Sequence, residues 1–211
     1  MSVRTKICGL STEETVATAV RYGADYIGFV FFEKSPRSVA PEKAAMLIRQ
    51  IPDHVQKMGV FVDPDNNLLE RALASGLTGF QLHGHETAER IASIRETFPK
   101  VKIWKALSIA NSQDLAQAPH YRGLADRLLY DARTDGVLPG GMGRRFDWRL
   151  LKEYKHPLPW ALSGGLDANN IAQAVAITGA ELVDISSGVE TSPGIKDMDK
   201  IAQFLQAVRL L

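Results

Sequence analysis

Leu162-Ser163-Gly164-Gly165-Leu166 and Asp184-Ile185-Ser186-Ser187-Gly188-Val189-Glu190 are the two stretches on which the fold turns. Each follows a short apolar run, and each bares main-chain N–H groups, because glycine brings the backbone close to a ligand without a Cβ and serine adds hydroxyls beside it. Donors converging in this way satisfy a phosphate dianion. In (β/α)8 barrels the phosphate often sits on the loops after strands seven and eight, against a short extra helix. The late position of both stretches suits that place, which makes Gly164, Gly165, Asp184, Ser186, Ser187 and Gly188 the expected phosphate-binding residues. Either stretch alone would serve equally well as a tight strand-to-helix turn; the pair together favours the phosphate.

Working outward from them, short apolar runs alternate with longer stretches whose apolar positions recur at three and four, the βαβ pattern of a parallel sheet. Strands are expected near residues 4–8, 26–31, 57–62, 79–82, 102–106, 127–130, 160–162 and 182–185. Helices are expected near residues 12–22, 41–49, 68–75, 86–97, 112–118, 148–154, 168–177 and 198–210. Ser11 with Glu14 reads as a capping box, Pro41 as a first helical turn, and Gly23, Gly76 and Gly179 as helix ends. Eight units of roughly 25 residues point to an α/β chain forming one (β/α)8 TIM barrel domain over residues 1–211, with a doubly wound open sheet as the alternative.

Composition agrees with one globular domain: 211 residues, 45% hydrophobic and 23% charged. The 25 basic and 24 acidic residues leave a net charge of +1, which gives no polyelectrolyte signal for nucleic acid or an anionic membrane. With one cysteine no internal disulfide is possible, and MSVRTKICGL has neither the apolar stretch nor the cleavage site of a signal peptide, so a cytoplasmic location is expected. No window approaches the roughly 20 apolar residues that span a bilayer. The oligomeric state, monomer or homodimer, is left open.

In a barrel of this kind the chemistry lies where strands end and the βα loops begin. Strand one ends in Lys6-Ile7-Cys8-Gly9, strand two leads to Lys34-Ser35-Pro36-Arg37, and strand three to Asp63. Strand four ends in Gln81-Leu82-His83-Gly84, strand five carries Lys105, and strand six runs into Asp131. A free cysteine commonly packs as a small hydrophobe, and an aspartate can simply end a strand. On strands one and six of a ring, however, Cys8 and Asp131 can flank a small substrate as base and acid. Proton transfer on two sides of a sugar suggests isomerisation, worth about 10²–10⁴-fold per group when pKa values lie near working pH. A thiol near ~8.5 and an aspartate near ~3.9 would both have to shift toward neutrality.

Arg37 offers a guanidinium fork for a substrate carboxylate, or is a solvated loop side chain. Gln81 is placed to donate to the substrate; His83 is either a further substrate contact and proton carrier or a polar strand end. The glycine-rich loop Pro139-Gly140-Gly141-Met142-Gly143-Arg144-Arg145-Phe146-Asp147-Trp148 fits a lid over bound substrate or a plain linker.

With these motifs in order along the chain (KICGL at residues 6–10, KSPR at 34–37, QLHG at 81–84, Asp131, FDW at 146–148, SGGL at 163–166, and 184–190 followed by PGIKD) the sequence resembles the phosphoribosylanthranilate isomerases of tryptophan biosynthesis. The resemblance runs essentially end to end. It implies that Asp131 is the general acid on the furanose ring oxygen, Cys8 the general base at the sugar C2′, Arg37 the holder of the anthranilate carboxylate, and the glycine loops the holders of the 5′-phosphate. It also implies a small phosphosugar substrate and neither metal nor organic cofactor, since the substrate's own nitrogen is the electron sink. Met142, Ser163 and Tyr130 depart from the pattern, where Thr, Ala and an apolar residue are usual. Three rival readings remain open from the residues: a histidine-pathway isomerase with an aspartate at the end of strand one, a Schiff-base aldolase using Lys6 or Lys105, and a phosphosugar-binding protein without catalysis.

Overall fold

Eight short parallel strands close on themselves. They are β1 (Arg4–Cys8), β2 (Tyr26–Val30), β3 (Gln56–Phe61), β4 (Gly79–Leu82), β5 (Lys102–Ile109), β6 (Arg127–Ala132), β7 (Trp160–Leu162) and β8 (Leu182–Ile185), in a computed structural model that describes residues 2–133, 143 and 145–211. Closure comes from β1, which pairs with β2 at Ile7 opposite Ile27 and with β8 at Ile7 opposite Ile185. The doubly wound alternative is therefore excluded. Of the loop read as a lid, residues 139–142 and Arg144 lie outside the described residues.

Around the barrel run α1 (Glu13–Arg21), α2 (Pro41–Ile48), α3 (Asn66–Leu73), α4 (Ala88–Thr97), the short α5 (Arg149–Lys152), α6 (Ile171–Thr178) and α7 (Met198–Arg209). The fifth crossover is a 3-10 helix, Ser112–Tyr121, rather than an α-helix. Pro119 inside it has no N–H for an i−4 carbonyl. Helix α1 begins one residue later than its expected capping box: Thr12, not Ser11, is the N-cap, and its hydroxyl accepts from the Thr15 N–H. Pro41 opens α2 as expected, and Gly23, Gly76 and Gly179 follow helix ends with positive φ. A further element escapes the βα pattern: after a 3-10 turn at Ser187–Val189, β9 (Glu190–Ser192) and β10 (Ile195–Lys196) form an antiparallel hairpin before α7.

Side chains alternate across each strand, so one set faces the helices and the other fills the barrel. The outer set, including Ile7, Ile27, Phe61, Phe80, Ile103, Leu128, Tyr130, Leu162 and Val183, joins the helices in the main core. The inner set stacks in layers. Met58, Trp104, Ala106, Leu129, Ala161 and Leu182 plug the interior, with the Tyr26 ring 5.1 Å from Trp104. Above them, at the C-terminal ends of the strands, Cys8, Val30 and Val60 form a smaller cluster with Phe32. The plug fills the barrel interior, and a cavity opens above it at the mouth.

Candidate active site

The two-residue period that buries Leu129 and Leu182 brings Asp131 and Asp184 to the inward face one layer higher, beside Cys8 of β1 and Gln81 of β4. One cavity is lined by Cys8, Arg37, Gln81, His83, Asp131, Asp184 and Ser186, with Val30, Phe32 and Val60 as its apolar wall. Residues scattered from position 8 to position 186 thus meet in one place. Asp131 lies within β6 rather than beyond it.

Cys8 rests on a charged floor. Lys6, fully buried one layer below, donates to Asp184 Oδ1 at 2.9 Å, and the Ser163 hydroxyl donates to Asp184 Oδ2 at 3.3 Å. Gly28 on the neighbouring strand makes room for this arrangement. A Cβ there would stand 2.9 Å from Cys8 Sγ and 3.1 Å from Lys6 Nζ. Burial pushes the Cys8 thiol above its ordinary range, and the Lys6 ammonium opposes that shift without cancelling it. The thiol is therefore shifted away from neutrality, not toward it as expected. Burial alone would drive Lys6 down, but Asp184 and Cys8 outweigh it and hold the ammonium above its usual range.

This floor corrects one expectation. Asp184 is a buried anion committed to Lys6, and a carboxylate repels a phosphate; it belongs beneath the thiol, not in the phosphate cradle. It also removes the amine nucleophiles of an aldolase. Lys6 is paired with Asp184, and Lys105 faces away from the barrel interior, with its ammonium 2.7 Å from Glu86 Oε2.

Across the cavity, Asp131 Oδ1 accepts from the Ala132 N–H at 2.9 Å, and Oδ2 lies 3.3 Å from His83 Nε2. His83 Nδ1 is 3.2 Å from Gln81 Nε2, so the three side chains form a file along the cavity wall. Gln81 Oε1 and His83 Nε2 have no well-aligned hydrogen-bond partner among the described residues. Two buried polar atoms held this way on a cavity wall are positioned for a ligand's hydroxyls.

The phosphate candidates divide. Ser186 lines the cavity itself, whereas Gly165, Ser187 and Gly188 line an adjoining hollow that shares Arg37 with it. Gly164 seats the β7 loop against Asp131: with φ +91°, it packs so closely that a Cβ would come within 2.6 Å of the Ala132 nitrogen and 3.0 Å of Asp131 Oδ1. Neither Gly164 nor Gly165 has a main-chain acceptor for its N–H among the described residues. Gly188 seats the 3-10 turn on the β7 loop, where a Cβ would overlap the Leu166 carbonyl.

Arg37 is not a solvated loop residue. It is 7% exposed, and its fork meets Glu190 side-on, Nε donating to Oε1 at 2.8 Å and Nη2 to Oε2 at 2.7 Å. Lys196 adds a second cation to the same carboxylate at 2.7 Å and reaches the Ser186 carbonyl and hydroxyl at 2.9 and 3.1 Å. Burial lowers Lys196, and although burial works to raise Glu190, bonds from Arg37 and Lys196 hold it below its ordinary value. Neither Glu190 nor Lys196 stood out as a functional candidate by residue type. Their only sequence signal was membership of the run from Asp184 through Lys196.

Similarity to known proteins agrees with this geometry. Residues 5–207 match the family model described as N-(5′-phosphoribosyl)anthranilate (PRA) isomerase. The chain is 79% identical over 211 residues, covering all of both chains, to the N-(5′-phosphoribosyl)anthranilate isomerase of Zymomonas mobilis subsp. pomaceae. It is similar to the crystal structure of phosphoribosyl anthranilate isomerase from Thermotoga maritima, with a TM-score of 0.89 and 36% identity over 99% of this chain and 100% of that one. It is also similar to a crystal structure of phosphoribosyl anthranilate isomerase in complex with reduced 1-(o-carboxyphenylamino)-1-deoxyribulose 5-phosphate, with a TM-score of 0.86, 35% identity and the same coverage. With the matched region spanning nearly the whole barrel and both of its glycine-led segments, the chain belongs to the N-(5′-phosphoribosyl)anthranilate isomerase family.

Proposed function

We propose that this chain, as one catalytic barrel domain over residues 1–211, catalyses the Amadori rearrangement of N-(5′-phosphoribosyl)anthranilate to 1-(2-carboxyphenylamino)-1-deoxyribulose 5-phosphate in tryptophan biosynthesis. The observation that carries the reading is a thiol above a buried ammonium and a carboxyl beside an imidazole, lining one cavity between two candidate anion sites.

Asp131 delivers its proton to the furanose ring oxygen. The C1′–O bond breaks as the anilino nitrogen's lone pair forms a C1′=N iminium, and the ring oxygen becomes the C4′ hydroxyl. Cys8 as thiolate then removes the C2′ proton, and those electrons neutralise the iminium to give an enolamine. Proton return at C1′ and ketonisation at C2′ yield the product. Lys6 is close enough to steady the thiolate, and its own charge is balanced by Asp184, so the floor needs no further counter-ion. Gln81 and His83 face the sugar hydroxyls, with His83 also able to exchange a proton with Asp131. Gly164, Gly165, Ser186, Ser187 and Gly188 cradle the phosphate, and Arg37 takes the anthranilate carboxylate. General acid–base work of this kind draws on the substrate's nitrogen for its electron sink, and no metal or organic cofactor enters the steps.

The test is the decay of the substrate's fluorescence, the substrate being generated in place from anthranilate and phosphoribosyl pyrophosphate, with wild type and Cys8→Ala side by side. Rapid decay with the wild type alone is expected. Equal decay with Cys8→Ala would remove the thiol from the mechanism, and no decay with either would remove the activity.

A further inference from the structure

The side chain that clamps a carboxylate is useful only if its plane is fixed, and here the fixing group comes from the far end of the chain. Glu190 opens β9 and reaches Arg37 across 153 residues of sequence, engaging Nε and Nη2 in a fork-to-fork pair that sets the guanidinium plane. The same hairpin also grips the Arg37 loop through its backbone: Gly194, at its turn with φ +85°, lies so close that a Cβ would stand 2.4 Å from the Pro36 carbonyl oxygen. From the other strand of the hairpin, Lys196 ties Glu190 Oε1 to both the carbonyl and the hydroxyl of Ser186. Lys200 of α7 donates to the Glu190 carbonyl at 2.7 Å and anchors the base of the hairpin. Ser186, Lys196, Glu190 and Arg37 therefore form one continuous bonded file, running from the β8 loop to the arginine that lines both the cavity and the adjoining hollow. Its central carboxylate and lysine are almost wholly buried.

Resting on the isomerase reading above, we propose that Glu190 and Lys196 are positioning residues that fix the spacing between the two anion sites, making the enzyme selective for a phosphosugar that carries a second, carboxylate anion at its opposite end. A buried ion pair contributes little net stability against apolar residues of similar volume, so stability alone gives no reason for three charges here. Pre-setting two anion sites does, because it removes the ordering cost from the binding step.

The experiment compares wild type, Glu190→Gln and Lys196→Met in turnover of N-(5′-phosphoribosyl)anthranilate and in inhibition by two probes. Ribose 5-phosphate carries only the phosphate; reduced 1-(o-carboxyphenylamino)-1-deoxyribulose 5-phosphate carries both anions. Glu190→Gln is expected to raise KM and the two-anion inhibition constant by about tenfold, the scale of one charge-assisted hydrogen bond, with kcat and ribose 5-phosphate inhibition within about threefold. Lys196→Met is expected to weaken both probes. Equal weakening of both probes by Glu190→Gln, or no weakening of either, would reduce the file to a structural brace and overturn the proposal. Should Glu190→Gln not fold, Glu190→Asp keeps the charge on a shorter arm and must show the same split. A wild type that turns nothing over would sink the isomerase reading itself, whereas turnover without the split would sink only the positioning role.

Discussion

At Cys8 the thiol is more basic than an ordinary cysteine, because burial outweighs the nearby ammonium. Its reactive form is the thiolate, whose fraction grows as pH rises toward the folded-state pKa. The kcat/KM of the free enzyme is accordingly expected to keep rising on the alkaline side of pH 8; a plateau already reached by pH 7 would contradict the assignment. Gly28→Ala puts a methyl group where Cys8 Sγ and Lys6 Nζ now meet, and a tenfold or greater loss in kcat is expected, about 1.4 kcal/mol of barrel-mouth rearrangement. Fluorescence-decay assays at matched folded concentration decide it, and unchanged kcat would mean that the base does not depend on this spacing. Asp131→Asn keeps the Ala132 N–H bond but has no proton to give. Turnover should vanish while the reduced product analogue binds within a few-fold of wild type, as titration calorimetry would show; surviving turnover would move the acid elsewhere.

Among the elements, the short α5 and the strands β6 and β7 share an aromatic knot outside the barrel. His156 stacks on Trp160 with centroids 4.4 Å apart, and its Nε2 lies 3.2 Å from the Leu151 carbonyl, which can only accept. That fixes the neutral tautomer with Nδ1 as acceptor, 3.2 Å from the Tyr130 hydroxyl, which donates. Burial lowers His156 below its ordinary 6.5, so the unfolded chain binds more protons than the folded one just under that pH. Stability supplied by the neutral ring is complete above 6.5 and is lost as pH falls toward the folded pKa. Melting temperature should therefore drop between pH 6.5 and 5, with a smaller drop in His156→Gln; parallel curves would exclude His156 as the source. Tyr130, the departure noted in the sequence, is thus explained by a partner outside the active site. These elements also show where sequence reading stops. Strands such as Tyr26–Val30 were legible because a parallel strand buried on both faces is a bare apolar run. The β9–β10 hairpin was not, because its five strand residues, four polar and one an exposed isoleucine, carry no periodicity, and its order comes from Arg37, far away in sequence. The crossover at Ser112–Tyr121 was placed correctly, but its 3-10 form depends on a capping box at Asn111 and on Pro119.

For the molecule as a whole, the site was legible to the extent that chemistry-bearing residues stand at strand ends, since ring closure gathers those ends. What the sequence could not show was direction: Lys105 points outward, Asp184 turns to Lys6, and Arg37 is locked by Glu190. Barrel closure is also uneven. β5 and β6 stay in register from Trp104 opposite Arg127 to Ile109 opposite Ala132, while β7 and β8 are joined in register only at Leu162 opposite Val183. The two glycine-led loops, proposed above to hold the phosphate, leave from this thin seam. Hydrogen exchange should be fastest there in the free protein and slow markedly with inorganic phosphate; uniform protection around the ring would refute it. Removing the phosphate from the substrate should likewise cost turnover as well as affinity, because distant binding orients the reacting carbon.

The first and last strands of the barrel meet at the cavity: Lys6 and Cys8 lie on β1, and Asp184 on β8 stands 178 residues further along the chain than Lys6. A chain lengthening from β1 toward β8 holds Cys8 over an unfinished floor until β8 and β9 are made, with no counter-charge for Lys6 and no brace for Arg37. Activity is thus a certificate of completion, and two separately made halves, cut anywhere between β1 and β8, would be silent until they reassembled the ring.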